Sequence, residues 1–562
     1  MSVAGLAGGT QDFPLTLTHL LGRARGINGD AEVVTQLDAE GRVERSTLAS
    51  VGARAEVLAA GLAGLGLAPG DRVGVFSWNN RRHLEAYWGV PCAGLVLHTM
   101  NPRLSPEQIA YTVRHSGDRA IIVDGALLGA LEPVLELLGG DGVEHLVVFD
   151  DADAECIGVP GGPESTPPPG TLGYEQVLER GAAALAAGEY ELPRLDERAA
   201  AALCYTSGTT GDPKGVAYSH RCLALHTILM AGTETYRIGG RDRVLAVVPM
   251  FHAMGWNLAY LAGMVGADLI LPGRFLQAEP LTRLIETERV TASCGVPTIW
   301  MDVLRYADAH GSDLSAFELA ICGGTQVPPQ LMRDFEARHG VAVVQGWGMT
   351  ETLPGAALAH DPPGLGEGDE EERWRRREHA GRVSPFYELR IVGDDGAELP
   401  RDGESQGEIQ VRGPVVAGSY FESPEASAAS FVAPGGWLRT GDVGTLDERG
   451  WLRITDRAKD VIKSGGEWIS SVDLESALMA HPAVFEAAVI AVPDERWSER
   501  PFACVAAAAG TDAAELTEFL AGREVPRWWL PDGFAFVEEI PKTSVGKFDK
   551  KALRGVYAER KV

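Results

Sequence analysis

Eleven consecutive residues, from Tyr205 to Gly215, have the composition of a phosphate-binding loop. The run is Tyr-Thr-Ser-Gly-Thr-Thr-Gly-Asp-Pro-Lys-Gly, with three glycines, four Ser or Thr side chains and one lysine. Glycines let backbone N–H groups approach an anion, hydroxyls donate further hydrogen bonds, and a lysine adds a positive charge. The run is not a Walker A loop, because Asp-Pro separates Gly211 from Lys214. Similar clusters also form ordinary surface turns, so this run alone leaves both interpretations open.

A second run, from Gln345 to Glu351, places two glycines around Trp347 and ends in Thr350 and Glu351. An aromatic ring held beside glycines can stack on a nucleobase. A hydroxyl and a carboxylate at the end of the run can hold a phosphate and a Mg²⁺ ion. By itself the run is equally consistent with a strand-to-helix turn that Thr350 caps.

Four further blocks combine glycine with charged or hydroxyl side chains. They are Gly323-Gly-Thr325, Arg439-Thr-Gly-Asp442, the segment 456–470 (Asp-Arg-Ala-Lys-Asp-Val-Ile-Lys-Ser-Gly-Gly-Glu-Trp-Ile-Ser) and Pro541-Lys-Thr-Ser-Val-Gly-Lys547. A fixed carboxylate such as Asp442 can accept hydrogen bonds from both hydroxyls of a ribose. Taken singly, Asp442 is also explained as a turn residue and Lys547 as a solvated surface lysine.

Together and in this order, the six motifs resemble those of the adenylate-forming superfamily, which includes acyl-CoA synthetases, luciferases and nonribosomal-peptide adenylation domains. The resemblance covers nearly the whole chain. Three further stretches look most like the medium- to long-chain fatty-acid–CoA ligase branch, namely His98-Thr-Met-Asn-Pro-Arg-Leu, Val296-Pro-Thr and Lys463-Ser-Gly-Gly-Glu-Trp-Ile-Ser-Ser-Val-Asp-Leu-Glu.

The resemblance implies a role for each motif. Contacts to the phosphates of ATP are implied for Thr206, Ser207, Gly208, Thr209, Thr210, Gly211 and Lys214. Contacts to adenine and ribose are implied for Gly323, Gly324, Thr325, Gly346, Trp347, Asp442 and Arg457. The implied catalytic residues are Lys547, Thr350 at the α-phosphate, and Glu351, which is also the implied Mg²⁺ ligand. The acyl pocket would be formed by His252, Trp256 and Gly348, the hinge by Lys459, and the CoA path by Ser464, Gly465, Gly466 and Trp468.

The implied reaction has two steps. A carboxylic acid, in this branch a medium- or long-chain fatty acid, attacks the α-phosphate of ATP to give acyl-AMP and pyrophosphate, and CoA then takes the acyl group. The first step brings two anions together, so it needs positioning and charge neutralisation. It needs no general base, because the acid is already ionised at neutral pH. Lys547 is useful only in this step, so rotation of a small domain about Lys459 would replace it with the Gly465-Gly466 loop.

Three departures from the family pattern leave the substrate open. Leu353 stands where the usual motif has Ser, Thr325 stands where many relatives have Ala, and Met254-Gly-Trp-Asn257 can alter the pocket. A related enzyme that activates aryl acids, uses an amine or carrier-protein acceptor, or activates nitrite is therefore an alternative. A non-catalytic nucleotide-binding homologue is the alternative from another class. Such a homologue would be expected to lack Lys547 or Asp442, and both are present.

The order of apolar and polar stretches predicts an α/β fold that positions these motifs. Helices and strands alternate up to about residue 150, and the segment 158–170 is a predicted linker. Later strands run into glycine-containing loops, and the strand predicted from Val244 ends in His252, which without the resemblance is also explained as a core histidine. Residues 387–455 predict a β-subdomain of hairpins. We expect a large N-terminal domain, 1–456, of layered α/β subdomains plus this β-subdomain, and a small mobile α+β C-terminal domain, 457–562.

Composition excludes several other classes of protein. The formal net charge of −28 argues against a nucleic-acid partner, and we expect 361–379 to form a solvated surface helix. The seven cysteines include no C-x-x-C pair, which argues against a disulfide framework or zinc site. With no apolar run long enough to span a membrane, we expect a cytoplasmic protein without integral membrane association. Family habit suggests a homodimer.

Overall fold

The computed structural model of the chain describes most of the sequence. The described ranges are 9–140, 142–149, 170–206, 212–361, 369–432, 436–465, 467–494, 496–523, 525–543 and 547–557, with the side chains of residues 467 and 468 excepted.

The α-helices within these ranges are α1 (Leu17–Gly26), α2 (Leu48–Gly64), α3 (Arg81–Cys92), α4 (Pro106–Ser116), α5 (Leu128–Leu138), α6 (Tyr174–Ala186), α7 (His220–Met230), α8 (Leu258–Val265), α9 (Ala278–Thr287), α10 (Pro297–His310), α11 (Pro329–His339), α12 (Glu370–Arg377), α13 (Pro424–Ser430), α14 (Ser471–Met479), α15 (Ala513–Ala521) and α16 (Lys550–Tyr557).

The strands are β1 (Glu32–Gln36), β2 (Val43–Thr47), β3 (Arg72–Phe76), β4 (Val96–Thr99), β5 (Asp118–Asp124), β6 (His145–Phe149), β7 (Leu172–Gly173), β8 (Ala200–Tyr205), β9 (Gly215–Ser219), β10 (Arg243–Ala246), β11 (Asp268–Leu271), β12 (Ala292–Gly295), β13 (Leu319–Gly323), β14 (Ala342–Trp347), β15 (Ala357–Leu358), β16 (Gly381–Val383), β17 (Glu388–Val392), β18 (Gly407–Arg412), β19 (Phe431–Val432), β20 (Trp437–Leu446), β21 (Trp451–Arg457), β22 (Ile462–Ser464), β23 (Glu467–Ile469), β24 (Val484–Asp494), β25 (Ser498–Ala507) and β26 (Gly533–Phe536).

The strands form three sheets. The first has the order β17-β18-β20-β21-β16-β15-β14-β13-β12-β10-β11-β1-β2, with β19 paired to β20. Its strands are parallel from β14 to β1 and antiparallel from β14 through β15 to β17. The second, β7-β6-β5-β3-β4-β8-β9, is parallel except for β9. The third is β23-β22-β25-β24, with β26 parallel to β25. The expected α/β fold is therefore present.

Helix α2 shows how the sequence builds the layers between sheets. Its buried residues recur at helical spacing, which gives it an apolar stripe. It packs closely on α6 because two glycines face each other there. A Cβ atom on Gly61 would collide with the carbonyl oxygen of Val177, and one on Gly181 with that of Val57. These glycines bring the two helix backbones together.

Two predictions about local structure were wrong. Strand β10 ends at Ala246, six residues before His252, because the chain turns at 247–250. Helix α12 is not a fully solvated surface helix: Trp374 and Arg377 are buried, and Arg377 pairs with Glu336. The predicted β-subdomain of hairpins is present: β17 pairs with β18 and β20 with β21, both antiparallel, and these strands continue the first sheet. Of the predicted linker, residues 158–169 lie outside the described ranges.

Candidate active site

A cleft of about 980 Å³ lies at the carboxyl ends of β10, β12, β13 and β14. Ligands of open α/β sheets commonly bind at this edge. The cleft is lined by most of the predicted site residues, namely Thr206, Lys214, His252, Trp256, Gly324, Thr325, Gly346, Trp347, Gly348, Thr350, Glu351, Asp442, Arg457, Lys459 and Lys547. The fold thus brings together motifs that are far apart in the sequence.

Asp442, on β20, joins two of the predicted motifs. Its buried carboxylate accepts a hydrogen bond of 2.8 Å from Nε1 of Trp347 and forms a 2.7 Å ion pair with Nε of Arg457. Gly441 precedes it with a φ of +68°, and the carbonyl of Gly441 accepts a hydrogen bond from the N–H of Ala458. A positive φ favours glycine at this turn. The arrangement orients the indole ring and the carboxylate together.

Glu351 and Thr350 follow β14 and are both buried. The hydroxyl of Tyr420 donates a 2.6 Å hydrogen bond to Oε1 of Glu351, and the N–H of Ala417 donates to the Glu351 carbonyl at 2.7 Å. The carbonyl of Thr350 accepts a 2.5 Å hydrogen bond from the hydroxyl of Tyr218. Both the backbone and the side chain of Glu351 are therefore held from a segment about 70 residues away.

The base of the phosphate-binding run is a hairpin between β8 and β9. The N–H of Thr206 donates to the carbonyl of Lys214 at 2.9 Å, and the Lys214 ammonium lies 4.9 Å from the ring centroid of Tyr420. The predicted phosphate contacts between these ends, Ser207, Gly208, Thr209, Thr210 and Gly211, lie outside the described residues.

Lys547 enters the cleft from a C-terminal hairpin. The N–H of Thr543 donates to the Lys547 carbonyl at 2.7 Å, and Lys542 and Phe548 form a β-bridge. Gly324 has a φ of +90°, and a Cβ there would lie 3.4 Å from Cε of Lys547. Burial, and then the positive charge of Arg457, lower the pKa of Lys547 to about 8, with Asp442 and Glu351 acting against the shift.

The predicted acyl-pocket residues form an apolar wall beside Lys547. Burial, and then the charges of Lys547 and Arg103, lower the pKa of His252 to about 3, so its imidazole is neutral at ordinary pH. The next five residues, 253–257, all have φ between +44° and +65°, a left-handed turn that includes Trp256. Such backbone is costly for residues other than glycine, and it concentrates at functional sites. Gly348 is confined by Pro354, whose Cα would lie 2.8 Å from a Cβ at that position.

The predicted hinge and CoA-path residues occupy different places. Lys459 lines the cleft, and burial lowers its pKa. Ser464 and Gly465 lie at β22 in the third sheet, where Ser464 accepts a hydrogen bond from Arg500 and the N–H of Gly465 donates to the carbonyl of Trp497. Gly466 and the side chain of Trp468 lie outside the described residues.

Gly323, a predicted adenine contact, ends β13, and a Cβ there would lie 3.3 Å from the Trp256 ring.

Sequence reasoning missed an ionic cluster next to Lys547. The Lys550 ammonium lies 2.6 Å from Glu475 and donates to the Ser471 hydroxyl at 2.7 Å. Ser471 in turn donates its N–H and its hydroxyl to Asp456. Burial raises the pKa of Glu475 to about 7. The cluster connects α16, the helix after Lys547, to β21, the strand that precedes the predicted hinge residue Lys459. Tyr420 was also missed, since nothing in Gly418-Ser-Tyr-Phe distinguishes it from an ordinary aromatic residue.

The chain belongs to the AMP-binding enzyme family. Residues 23–421 match the model of the AMP-binding enzyme, and residues 473–547 match that of the AMP-binding enzyme C-terminal domain. This match confirms the resemblance to the adenylate-forming superfamily that the six motifs indicated.

Individual relatives indicate the branch of the family to which the chain belongs. The chain is 43% identical to a long-chain-fatty-acid–CoA ligase of Thermus thermophilus, over 97% of this chain and 96% of that protein. It is 41% identical to a 3-methylmercaptopropionyl-CoA ligase of Ruegeria pomeroyi, over 97% and 98%. The crystal structure of the anthranilate CoA ligase AuaEII in complex with anthranoyl-AMP has a TM-score of 0.83 and 26% identity, covering 97% of this chain and 98% of that chain. The fold and the assignment to the acyl-CoA synthetase branch are thus confirmed.

Within the described ranges, no helix combines the length and the apolar character needed to cross a lipid bilayer.

Proposed function

We propose that this chain is an AMP-forming acyl-CoA ligase, which converts a carboxylic acid and ATP to an acyl-adenylate and pyrophosphate and then transfers the acyl group to CoA. The observation that carries the proposal is the convergence of Lys547, Glu351 and the Asp442–Trp347 pair on one cleft beside the wall at His252. Relatives that are named as CoA ligases over nearly their whole length support it.

The adenosine part of ATP binds between the loop that follows β13 and Trp347. The Asp442 carboxylate accepts hydrogen bonds from the ribose hydroxyls. Its hydrogen bond from Nε1 of Trp347 holds the indole ring in place for the adenine base. The other residues of this subsite are Gly323, Gly324, Thr325, Gly346 and Arg457.

The first step is attack of the substrate carboxylate on the α-phosphate. A bond forms between a carboxylate oxygen and the α-phosphorus, and the bond from phosphorus to the bridging oxygen breaks, so that pyrophosphate leaves with the electron pair. The phosphate charge is neutralised by the ammonium groups of Lys547 and Lys214, and the α-phosphate is oriented by Thr350. Because His252 is neutral, it shapes the acyl pocket without adding charge. The run 206–214 holds the departing pyrophosphate.

Glu351 has the chemistry to hold Mg²⁺. Its carboxylate lines the cleft and is oriented by Tyr420, and carboxylate oxygen is a ligand type that Mg²⁺ prefers. A Mg²⁺ ion bound there would neutralise part of the negative charge of the phosphates.

The second step requires a different arrangement of the C-terminal residues. Lys547 lies in the cleft, whereas Ser464 and Gly465 contact Arg500 and Trp497 in the third sheet. This arrangement suits the first step. We place the boundary between the two domains at 456/457. Rotation of the C-terminal domain about Lys459 would withdraw Lys547 and bring the 464–468 segment, the CoA path, to the acyl-adenylate.

A medium- or long-chain fatty acid is the preferred substrate. The cleft that His252 lines is also lined by apolar side chains, which include Val248, Ile299, Ile321 and Leu358. The specific alternative is another acid, since one relative is named for a methylmercaptopropionyl substrate and a structural neighbour holds anthranoyl-AMP. A cytoplasmic location and a homodimer stay predictions.

A substrate panel tests this function. We expect pyrophosphate release with medium- and long-chain fatty acids, ATP and Mg²⁺, and release of AMP together with acyl-CoA only when CoA is added. Aryl acids, short thioether acids, and nitrite with an arylamine form the comparison panels, and amines replace CoA in a further set. Pyrophosphate release with none of the fatty acids would overturn the substrate assignment. Nucleotide binding without pyrophosphate release from any panel would favour the non-catalytic homologue.

The pH dependence of the first step should follow Lys547. Its ammonium must be charged to neutralise phosphate, and in the free protein its pKa is about 8. We therefore expect kcat/KM for ATP to be constant below that pH and to fall as the pH rises through it, since kcat/KM reports the free enzyme. Bound triphosphate favours the charged lysine, so kcat should fall only at a higher pH. Rates of pyrophosphate formation between about pH 6 and 10 measure both profiles. A kcat/KM that stays flat to the alkaline end would show that this charge is not required.

A further inference from the structure

Tyr420 contacts two of the motifs at the phosphate end of the cleft. Its hydroxyl donates a 2.6 Å hydrogen bond to Oε1 of Glu351, and its ring centroid lies 4.9 Å from the Lys214 ammonium. The residue is 7% exposed and lines the cleft. A single side chain thus contacts both the carboxylate that suits Mg²⁺ and the lysine of the phosphate-binding run.

The backbone around Tyr420 makes the same two connections. The N–H of Ala417 donates to the carbonyl of Glu351 at 2.7 Å, and the N–H of Phe421 donates to the carbonyl of Gly215 at 2.8 Å. The N–H of Tyr420 itself donates to Oγ of Ser427 at 2.9 Å. Residues 417–421 therefore have a fixed position relative to both motifs, and the Tyr420 ring cannot move away from one without disturbing the other.

Each of the two contacts of Tyr420 restricts the motion of the side chain that it contacts. A hydrogen bond to one carboxylate oxygen limits rotation of the Glu351 carboxylate and so directs its remaining oxygen lone pairs. An ammonium over an aromatic face is attracted by the ring quadrupole, which favours one position for Lys214.

We propose that Tyr420 is a positioning residue that sets the Glu351 carboxylate and the Lys214 ammonium at a fixed separation, matched to a divalent cation and the phosphates of one nucleotide. This inference rests on the proposed function of the cleft as an ATP site. It adds a residue that touches neither the reacting atoms nor the base, and acts through its hydrogen bond and its ring. The two contacts make separate contributions, because the hydroxyl serves Glu351 and the ring serves Lys214.

Two substitutions separate these contributions. Tyr420→Phe removes the hydroxyl and keeps the ring, so it should weaken binding of the divalent cation about 10-fold and leave nucleotide affinity without metal unchanged. Tyr420→Leu removes both, so it should also weaken metal-free ATP binding severalfold. Binding of Mn²⁺ to the protein–ATP complex, followed by electron paramagnetic resonance, measures the first effect without catalysis. Quenching of tryptophan fluorescence by ATP in the presence of a chelator measures the second.

Tyr174→Phe is the matched control. The Tyr174 hydroxyl donates a 2.8 Å hydrogen bond to Oε2 of Glu85, so this variant also loses a buried Tyr–Glu hydrogen bond, at α6. It should lower the melting temperature about as much as Tyr420→Phe does, with no change in Mn²⁺ affinity.

Equal Mn²⁺ affinity in the wild type and Tyr420→Phe would overturn the inference and leave Tyr420 a structural residue. Failure of the proposed function has a different signature, because a wild type that binds ATP and Mn²⁺ but releases no AMP still answers the positioning question. A wild type without ATP-dependent Mn²⁺ binding would overturn both.

Discussion

Replacement of Lys547 by Ala is expected to lower the rate of acyl-adenylate formation by about 10³-fold, because a positive charge directed at the phosphates is lost from a cleft that excludes much of the water. The same variant should convert supplied acyl-adenylate and CoA to acyl-CoA at nearly the wild-type rate. The physical reason is that, in the proposed mechanism, Lys547 serves only the step in which two anions approach each other. Pyrophosphate formation from ATP and a fatty acid measures the first step, and thioester formation from synthetic acyl-adenylate, with release of AMP, measures the second.

Lys551→Ala is the control for this experiment. Lys551 is exposed on α16, four residues after Lys547, and its removal changes the net charge by the same amount. We expect both steps to proceed at close to wild-type rates in this variant. An equal loss of both steps in Lys547→Ala would contradict the proposed rotation, since it would mean that the lysine stays in the site throughout.

Substitution of Asp442 by Asn is expected to raise the KM for ATP by about 10²-fold with a smaller change in kcat. The carboxylate is buried, accepts the indole N–H of Trp347 and pairs with Arg457. A hydrogen bond to a charged group contributes about 1.5 to 3 kcal/mol, so loss of the carboxylate's hydrogen bonds from the two ribose hydroxyls corresponds to roughly 10²-fold in binding. Asn preserves the volume, so the fold should remain intact. Equilibrium titration with ATP, followed by tryptophan fluorescence, gives the affinity independently of turnover.

A second Trp–carboxylate contact supplies the control. Nε1 of Trp374 lies 3.4 Å from Glu370 on α12, and Glu370→Gln should leave the KM for ATP unchanged. If Asp442→Asn raised the KM for the fatty acid and left that for ATP unaltered, Asp442 would belong to the acyl site and the adenosine assignment would be wrong.

Local patterns were sufficient for much of the fold. The Ala- and Leu-rich stretch that begins at Leu48 forms α2, and the apolar run at Arg72 forms β3, because helical and strand periodicities are properties of neighbouring residues. The prediction of a strand that ends at His252 was wrong for a related reason. An apolar run does not show where regular pairing stops, and the left-handed turn at 253–257 is held by its buried surroundings.

The nucleotide motifs could be recognised because each is short and contiguous, so its residues are adjacent whatever the rest of the chain does. The sequence by itself therefore determined the superfamily, the α/β class and most of the residues now found in the cleft, including Trp347, Asp442 and Lys547. Only the tertiary structure decided how they meet. The Trp347–Asp442 bond joins residues 95 positions apart, and the Tyr420–Glu351 bond joins residues 69 apart. Such contacts depend on sheet order and on the packing of distant segments, and neither is encoded in the spacing of a motif.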